Sequence, residues 1–304
     1  MNNAIQDFLA SAEHSILGKQ TETKLALCCF LSHGHLLIED VPGMGKTTFA
    51  KTLAKLLDLS FARIQFTNDL MPSDLVGIQI FDAKEGKFNL IHGPIFHQFI
   101  LADELNRGTP KTQSALLEAM EEKQVTLDGD TINLPHPFFV VATQNPRSQI
   151  GTHHLPESQL DRFMMKIKIG YPDAHSERQI ISSDTHTESY HKLKPAITPS
   201  SLADLYEAVK NVKVSDKLLD YVLRLLEQSR NSNSFQGLSP RAGKDIIKAA
   251  KAWALISGRD YVLPDDVQIV LPSVVSHRLA PFQNQSFDQD RELTQMLIKT
   301  TKVD

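Results

Sequence analysis

Short apolar runs alternate with stretches of helical period over the first two thirds of the chain. Leu36, Leu37 and Ile38 form an unbroken apolar run that stops at a turn. Further runs lie at 61–66, 99–102, 138–142 and 164–169. Between them, 47–57 and 110–122 carry apolar residues at helical spacing. Continuous apolar strands separated by helices predict a parallel sheet covered on both faces. After Tyr171-Pro172 the strand signals nearly vanish. The stretches 202–212, 216–230, 240–256 and 264–279 all read as helices. Ser239-Pro240 and Leu263-Pro264-Asp265-Asp266 are helix starts, with proline early and acids in the first turn. The pattern predicts an α/β domain over 1–172 and an all-helical domain over 173–304.

Two insertions interrupt the α/β alternation. Residues 122–137 hold Val125-Thr126-Leu127, then Asp128-Gly129, then Thr131 to Leu134. An Asp-Gly pair between alternating runs predicts a β-hairpin. Residues 76–92 read as two further short strands around Lys84-Glu85-Gly86.

Composition narrows the classes. A chain of 304 residues that is 41% hydrophobic and 22% charged can bury a sizeable core. A net charge of -4 disfavours a strongly basic nucleic-acid binder. Cys28 and Cys29 are adjacent in an apolar helical stretch, which predicts buried thiols in a reducing compartment. The N-terminal stretch has acids and no unbroken apolar run, so it does not read as a signal peptide. No run approaches the length of a membrane span. The expected location is the cytoplasm.

The run ending at Ile38 leads into Val41-Pro42-Gly43-Met44-Gly45-Lys46-Thr47-Thr48, and a helical pattern follows. Strand, glycine loop and helix are the setting of a phosphate loop. Its N–H groups and the helix N-terminus favour an anion. Lys46 supplies a cation for the β- and γ-phosphates, and Thr47 a hydroxyl for Mg²⁺. The position usually held by the first glycine is Asp40. Its carboxylate would have to point away from the phosphates.

The run at 99–102 ends in Asp103-Glu104. Alternation along a strand sends two adjacent side chains to opposite faces, so the two acids take different roles. Asp103 would hold Mg²⁺ through its water shell. Glu104 would orient and polarise the attacking water.

Several ordered motifs resemble the MoxR family of AAA+ ATPases. They are Asp103-Glu104-Leu105-Asn106-Arg107, Gln113 through Met120, Ala142-Thr143-Gln144-Asn145-Pro146, and Leu155 through Phe163. Arg63-Ile64-Gln65-Phe66-Thr67, Gly93-Pro94-Ile95-Phe96 and Gly237-Leu238-Ser239-Pro240-Arg241 fit as well. The resemblance implies a P-loop AAA+ sheet domain with inserted hairpins, followed by a helical lid. It implies that Asn145 is a sensor of the γ-phosphate or attacking water. Arg162 matches an arginine finger for a neighbouring subunit's site, with a salt bridge to Asp161 as the alternative. Arg241 matches a second sensor that reaches the γ-phosphate from above. Ile16-Leu17-Gly18 resembles the adenine-contacting stretch. Arg107 fits a subunit-interface or pore-side contact, with a purely surface role as the alternative. His153-His154 stands where the family usually has Tyr-Pro, and lacks the partners of a zinc site.

The resemblance therefore implies ATP and Mg²⁺ as cofactors and a ring, a hexamer, as the assembly. It also implies chaperone-like work on a separate protein client, often one with a von Willebrand factor A domain. A DNA-translocating motor is the alternative. The acidic tip Asp128-Gly129-Asp130 argues against it, because such motors need cations at the hairpin tip. A nucleotide-gated scaffold would not need Glu104, Asn145 and Arg162 together. A small-molecule kinase would need neither Glu104 nor the helical part.

Overall fold

The computed structural model describes residues 2–127, 129–145, 153, 155–182, 193–231, 237–279 and 287–303. Five parallel strands form its centre. They are β1 (Leu36–Glu39), β2 (Phe61–Gln65), β5 (Phe99–Asp103), β8 (Phe139–Gln144) and β9 (Met165–Ile167), in the order β2-β5-β8-β1-β9. β1, β5, β8 and β9 are buried at every position. Alternation divides their side chains between two clusters. Leu36, Ile38, Phe99, Leu101, Phe139 and Val141 face one side. Leu37, Ile100, Ala102, Val140 and Ala142 face the other. This is the double coverage that continuous apolar runs require.

One face is covered by α1 (Asn2–Ser15), α2 (Gln20–Leu31) and α3 (Lys46–Leu56), which contribute Phe8, Phe30 and Phe49. Cys28 and Cys29 are free thiols inside this cluster. The other face is covered by the short α4 (Pro72–Val76) and by α5 (Pro110–Glu122), through Leu75, Leu116, Leu117 and Met120. Thr109 caps α5 by accepting from the Thr112 N–H, and Pro110 takes the first turn.

Both expected hairpins are present. β3 (Gly77–Asp82) pairs antiparallel with β4 (Lys87–His92). β6 (Gln124–Leu127) pairs with β7 (Asp130–Asn133) around Gly129. Asp128 lies outside the described residues. The first hairpin exposes Ile78, Ile80, Phe81, Phe88 and Ile91, and its two phenylalanine rings lie 5.2 Å apart.

β9 is shorter than the apolar run predicts. Gly170 turns the chain at φ +66°, and Lys166 occupies a buried place inside the strand. Its Nζ lies 3.4 Å from Glu39 on β1, which also accepts a hydrogen bond from Gln144. A buried lysine needs such a partner.

The short α6 (Glu157–Leu160) precedes β9. Beyond Tyr171 the described elements are the helices α7 (Ala174–Ser182), α8 (Pro199–Asn211), α9 (Asp216–Asn231), α10 (Pro240–Ile256), α11 (Pro264–Leu279) and α12 (Phe287–Thr300). α10 packs on α2, and α11 packs on β9. Ile246, Ala249, Val270 and Val274 join the same apolar cluster as α1, α2 and one face of the sheet. The helical part and the sheet thus share one core.

Candidate functional site

The strands begin at one edge of the sheet and end at the other, and polar side chains gather at both edges. At the strand ends, β1 runs through Asp40 into the loop before α3. Gly43 and Gly45 adopt φ of +88° and +74°, which glycine takes at no steric cost. An added Cβ would meet nothing within 4 Å at either, so backbone conformation, not space, requires glycine there. The turn delivers Lys46 as the first residue of α3, with half-buried Thr47 beside it and Thr48 exposed.

The Lys46 ammonium donates to the Asp40 carbonyl at 2.6 Å, the Val41 carbonyl at 3.4 Å and Asn145 Oδ1 at 3.2 Å. Burial lowers its pKa, while Asp40, Asp103 and Glu104 pull the other way. Both oxygens of the Asp40 carboxylate are taken up by backbone N–H groups. Oδ1 accepts from the Val41 N–H at 2.8 Å and Oδ2 from the Gly170 N–H at 2.5 Å.

Asp103 closes β5. Its Oδ1 accepts from the Thr143 hydroxyl at 2.6 Å, and its Oδ2 accepts from Arg63 at 2.7 and 3.1 Å. Glu104 then turns into the left-handed region, at φ 54° and ψ 47°. A non-glycine residue there stores strain, a feature that gathers at functional sites. The two acids diverge because of this turn, and not through strand alternation. Thr143 bridges them, since its hydroxyl also accepts from the Glu104 N–H at 2.9 Å. Glu104 Oε1 accepts from Asn145 Nδ2 at 3.1 Å. Its Oε2 accepts from Gln65 at 2.9 Å and from Arg107 at 3.2 Å. Asn145 therefore touches both Lys46 and Glu104.

Sequence reasoning assigned no individual role to Arg63, Gln65 or Thr143. Arg63 and Gln65 sit two apart at the end of an edge strand, so they share a face, and Arg63 also donates to Gln65 at 2.8 Å. Thr143 is a polar residue closing an apolar run. Both signals were present in the chain. Arg107, for which the sequence leaves interface, pore-side and surface readings open, reaches this edge through Glu104. His153 is exposed, with its backbone bonded to Asn106 and Gln113. His154 and Pro146 lie outside the described residues.

Beside the loop lies a largely apolar cavity of about 460 Å³. Ile16, Leu17, Gly43, Met44, Ile169 and Tyr171 line it. The expected adenine-contacting stretch thus borders the same space as the loop glycines.

Arg162 and Arg241 are at the opposite edge. Arg162 donates to the Leu117 carbonyl at 2.7 Å and pairs with Glu121 at 2.9 Å. Asp161 pairs instead with Arg278 at 2.8 Å and lies 3.8 Å from Arg241. Arg241, on the first turn of α10, also reaches Glu121 at 3.4 Å. Both arginines border a cavity of about 230 Å³ with Lys244, Lys248 and His35. His35 directly precedes β1, whereas Lys46 follows its far end. Each strand residue rises about 3.3 Å, so the sheet separates these arginines from their own chain's phosphate loop. Arg241, expected to reach a γ-phosphate, therefore stands away from the loop of its own chain. The packing of α10 on α2 carries the helix start to the other edge.

Residues 35–165 match the family model of the ATPase family associated with various cellular activities, and residues 229–296 match that of the AAA lid domain. An uncharacterized protein of Bacillus subtilis, YeaC, is 43% identical over 95% of this chain and 91% of its own length. Chaperone MoxR1 of Mycobacterium tuberculosis is 42% identical, over 87% of this chain and 72% of its own. The crystal structure of a protein from Cytophaga hutchinsonii superposes with a TM-score of 0.89 at 36% identity, covering 100% of this chain and 96% of that one.

Proposed function

The chain belongs to the MoxR family of AAA+ ATPases, and from that premise we propose that it hydrolyses ATP in a head-to-tail ring, a hexamer, whose sites are each completed by a neighbour. One observation carries this reading. Lys46, Asp103, Glu104 and Asn145 meet at the strand ends, while Arg162 and Arg241 stand at the strand starts. A surface with donors on one edge and their target on the other is used fully by heterologous contact, which closes into a ring when the rotation permits.

Within one site, Lys46 and the loop N–H groups would hold the phosphates. Glu104, with Asn145 beside it, would orient the attacking water and take its proton. Thr47 and Asp103 would hold Mg²⁺. A hydroxyl and a carboxylate are the hard oxygen donors this ion takes, and phosphates and water supply the rest of its shell. The ion's chemistry is neutralisation of phosphate charge. Arg162 and Arg241 of the adjoining subunit would neutralise the charge that develops in the transition state. An arginine keeps its charge at neutral pH, which suits it to that role.

The work done with this energy is proposed to be chaperone-like remodelling or maturation of a separate protein, in the cytoplasm. The relative named as a chaperone and the apolar β3–β4 hairpin support a protein client, and a von Willebrand factor A domain is the class of client expected. Among the described residues, no helix is long and apolar enough to cross a membrane.

Mixed-subunit ATPase assays test the trans arrangement. Homogeneous Arg162→Ala and homogeneous Glu104→Gln protein should each be nearly inactive. Mixing should restore turnover at interfaces that join an intact Glu104 to an intact Arg162. With light scattering checking that both variants still assemble, absence of recovery in confirmed mixed rings, isolated through different affinity tags on the two variants, would rule out the trans role of Arg162. Stimulation by DNA in the same assay, without any client protein, would favour a DNA motor instead.

A further inference from the structure

The residue that departs from the usual phosphate-loop pattern is bonded through its N–H, its carbonyl and both carboxylate oxygens. Asp40 is 2% exposed. Its N–H donates to the Gln144 carbonyl at 3.3 Å, extending the pairing of β1 with β8. Its own carbonyl accepts from Lys46 Nζ at 2.6 Å. One carboxylate oxygen holds the Val41 N–H inside the loop. The other holds the Gly170 N–H, 2.5 Å away, in the turn that follows β9. Gly170 can present that N–H because it adopts φ +66°, a conformation that side chains resist.

Gly170 lies between Ile169 and Tyr171. All three line the cavity of about 460 Å³, together with Gly43, Met44 and Gly45 from the loop. The Tyr171 carbonyl is in turn held by Lys19 at 2.6 Å. One carboxylate is therefore bonded to the cavity wall at Gly170 and to the start of the phosphate loop at Val41, two residues before the loop's first cavity-lining residue. A glycine at position 40 could build the loop but could not make this tie.

We propose that Asp40 is a positioning residue that couples the base-side wall of the nucleotide pocket, through Gly170, to the phosphate loop. This rests on reading the cavity as the site of the base. With the tie in place, the wall at 169–171 is ordered before nucleotide arrives. Without it, binding must order that wall, and a ligand with a base bears that cost. A ligand of phosphates alone does not touch the wall and is spared.

The test compares two probes, ATP and inorganic tripolyphosphate, by titration calorimetry on the full chain. Asp40→Gly restores the usual loop glycine. Asp40→Asn keeps the shape, but turns one carboxylate oxygen into an NH₂ that faces an N–H. Loss of a hydrogen bond to a charged group predicts about tenfold or greater weakening for ATP. Tripolyphosphate affinity should hold or improve, since a negative charge near Lys46 is gone. Asn should behave as Gly does in the ratio of the two affinities. An unchanged ratio in both variants overturns the coupling, as does equal weakening of both probes. Wild-type protein that binds tripolyphosphate as tightly as ATP would overturn the base-site reading as well. A wild-type preference for ATP that survives both substitutions overturns the coupling alone.

Discussion

Cations stand at both edges of the sheet, but they are held in different ways. Lys46 is 8% exposed, and two of its three partners are backbone carbonyls fixed by the loop itself. Arg162 and Arg241 are 29% and 45% exposed, and both lean on the side chain of Glu121, itself 39% exposed. A buried cation held by two carbonyls of its own loop has a position that is part of the fold, whereas Arg162 keeps one backbone carbonyl, that of Leu117, and is otherwise part-exposed. An exposed ion pair contributes little to stability, of order 0–1 kcal/mol. Its arginines can exchange a carboxylate for another anion at small cost. The strand-end edge is a finished pocket. The strand-start edge is a pair of part-exposed donors that share Glu121, with Arg162 also on the Leu117 carbonyl and Arg241 near Asp161.

The contrast can be broken at the pocket with the largest effect. Lys46→Ala removes the one cation the loop fixes. Nucleotide binding should fall below detection in fluorescence titration while the far-ultraviolet circular dichroism stays that of the wild type. Retained tight ATP binding would show that the phosphates are held elsewhere. Glu104→Gln should act next in size. The amide keeps the shape but cannot take a proton, so turnover should drop about 10²–10⁴-fold while ATP still binds. Single-turnover rates equal to wild type would move the base role to another residue.

The smallest effect belongs to the other edge and concerns acid. His35 is buried, accepts from the Val140 N–H on Nδ1 and faces the Met120 carbonyl through Nε2. Burial lowers its pKa to about 4, and nearby Lys123 and Arg241 act in the same direction. His33 is lowered to about 4 for the same first reason. The unfolded chain therefore binds these protons more readily than the folded one. Stability from His35 is fully present above about pH 6.5 and is lost as pH falls toward 4. The loss should reach about 3 kcal/mol, at about 1.4 kcal/mol per pKa unit. Denaturant midpoints measured from pH 7 to 4 should fall over that window, and His35→Gln should flatten the fall. A midpoint that does not move would mean that His35 takes up its proton as readily in the folded chain as in the unfolded one.

Much of this was legible in the chain because it is local. The runs that became β5 and β8 announce burial on both faces by having no polar break until Asp103 and Thr143. The strand, the loop and Lys46 are contiguous, so their geometry is written in one stretch. Asp40 was legible to the extent that its carboxylate had to turn away. What it turned toward was not, because Gly170 is distant in sequence. Arg241 shows the same limit more sharply. Its helix start is plain in Ser239-Pro240, but which edge of the sheet that start would reach depends on α10 packing against α2. Helical period reveals the apolar face and says nothing about the neighbour chosen. The β9 run read too long because Lys166 and Lys168 sat among apolar residues, and the Gly170 turn ended the pairing early.

The single core beneath the helical part and the sheet has a mechanical meaning. A flap that swings on a hinge keeps its own interior and slides over a polar seam. Here α10 and α11 are seated among Phe30, Leu36 and Met165, residues that also hold α2, β1 and β9 in place. Moving these helices far would open voids between close-packed side chains, at a cost of several kcal/mol for each large residue uncovered. Arg241, on α10, and Arg162, beside β9, thus ride on one rigid casting. Force applied to either would be delivered to both in the same stroke, as two teeth of a single gear.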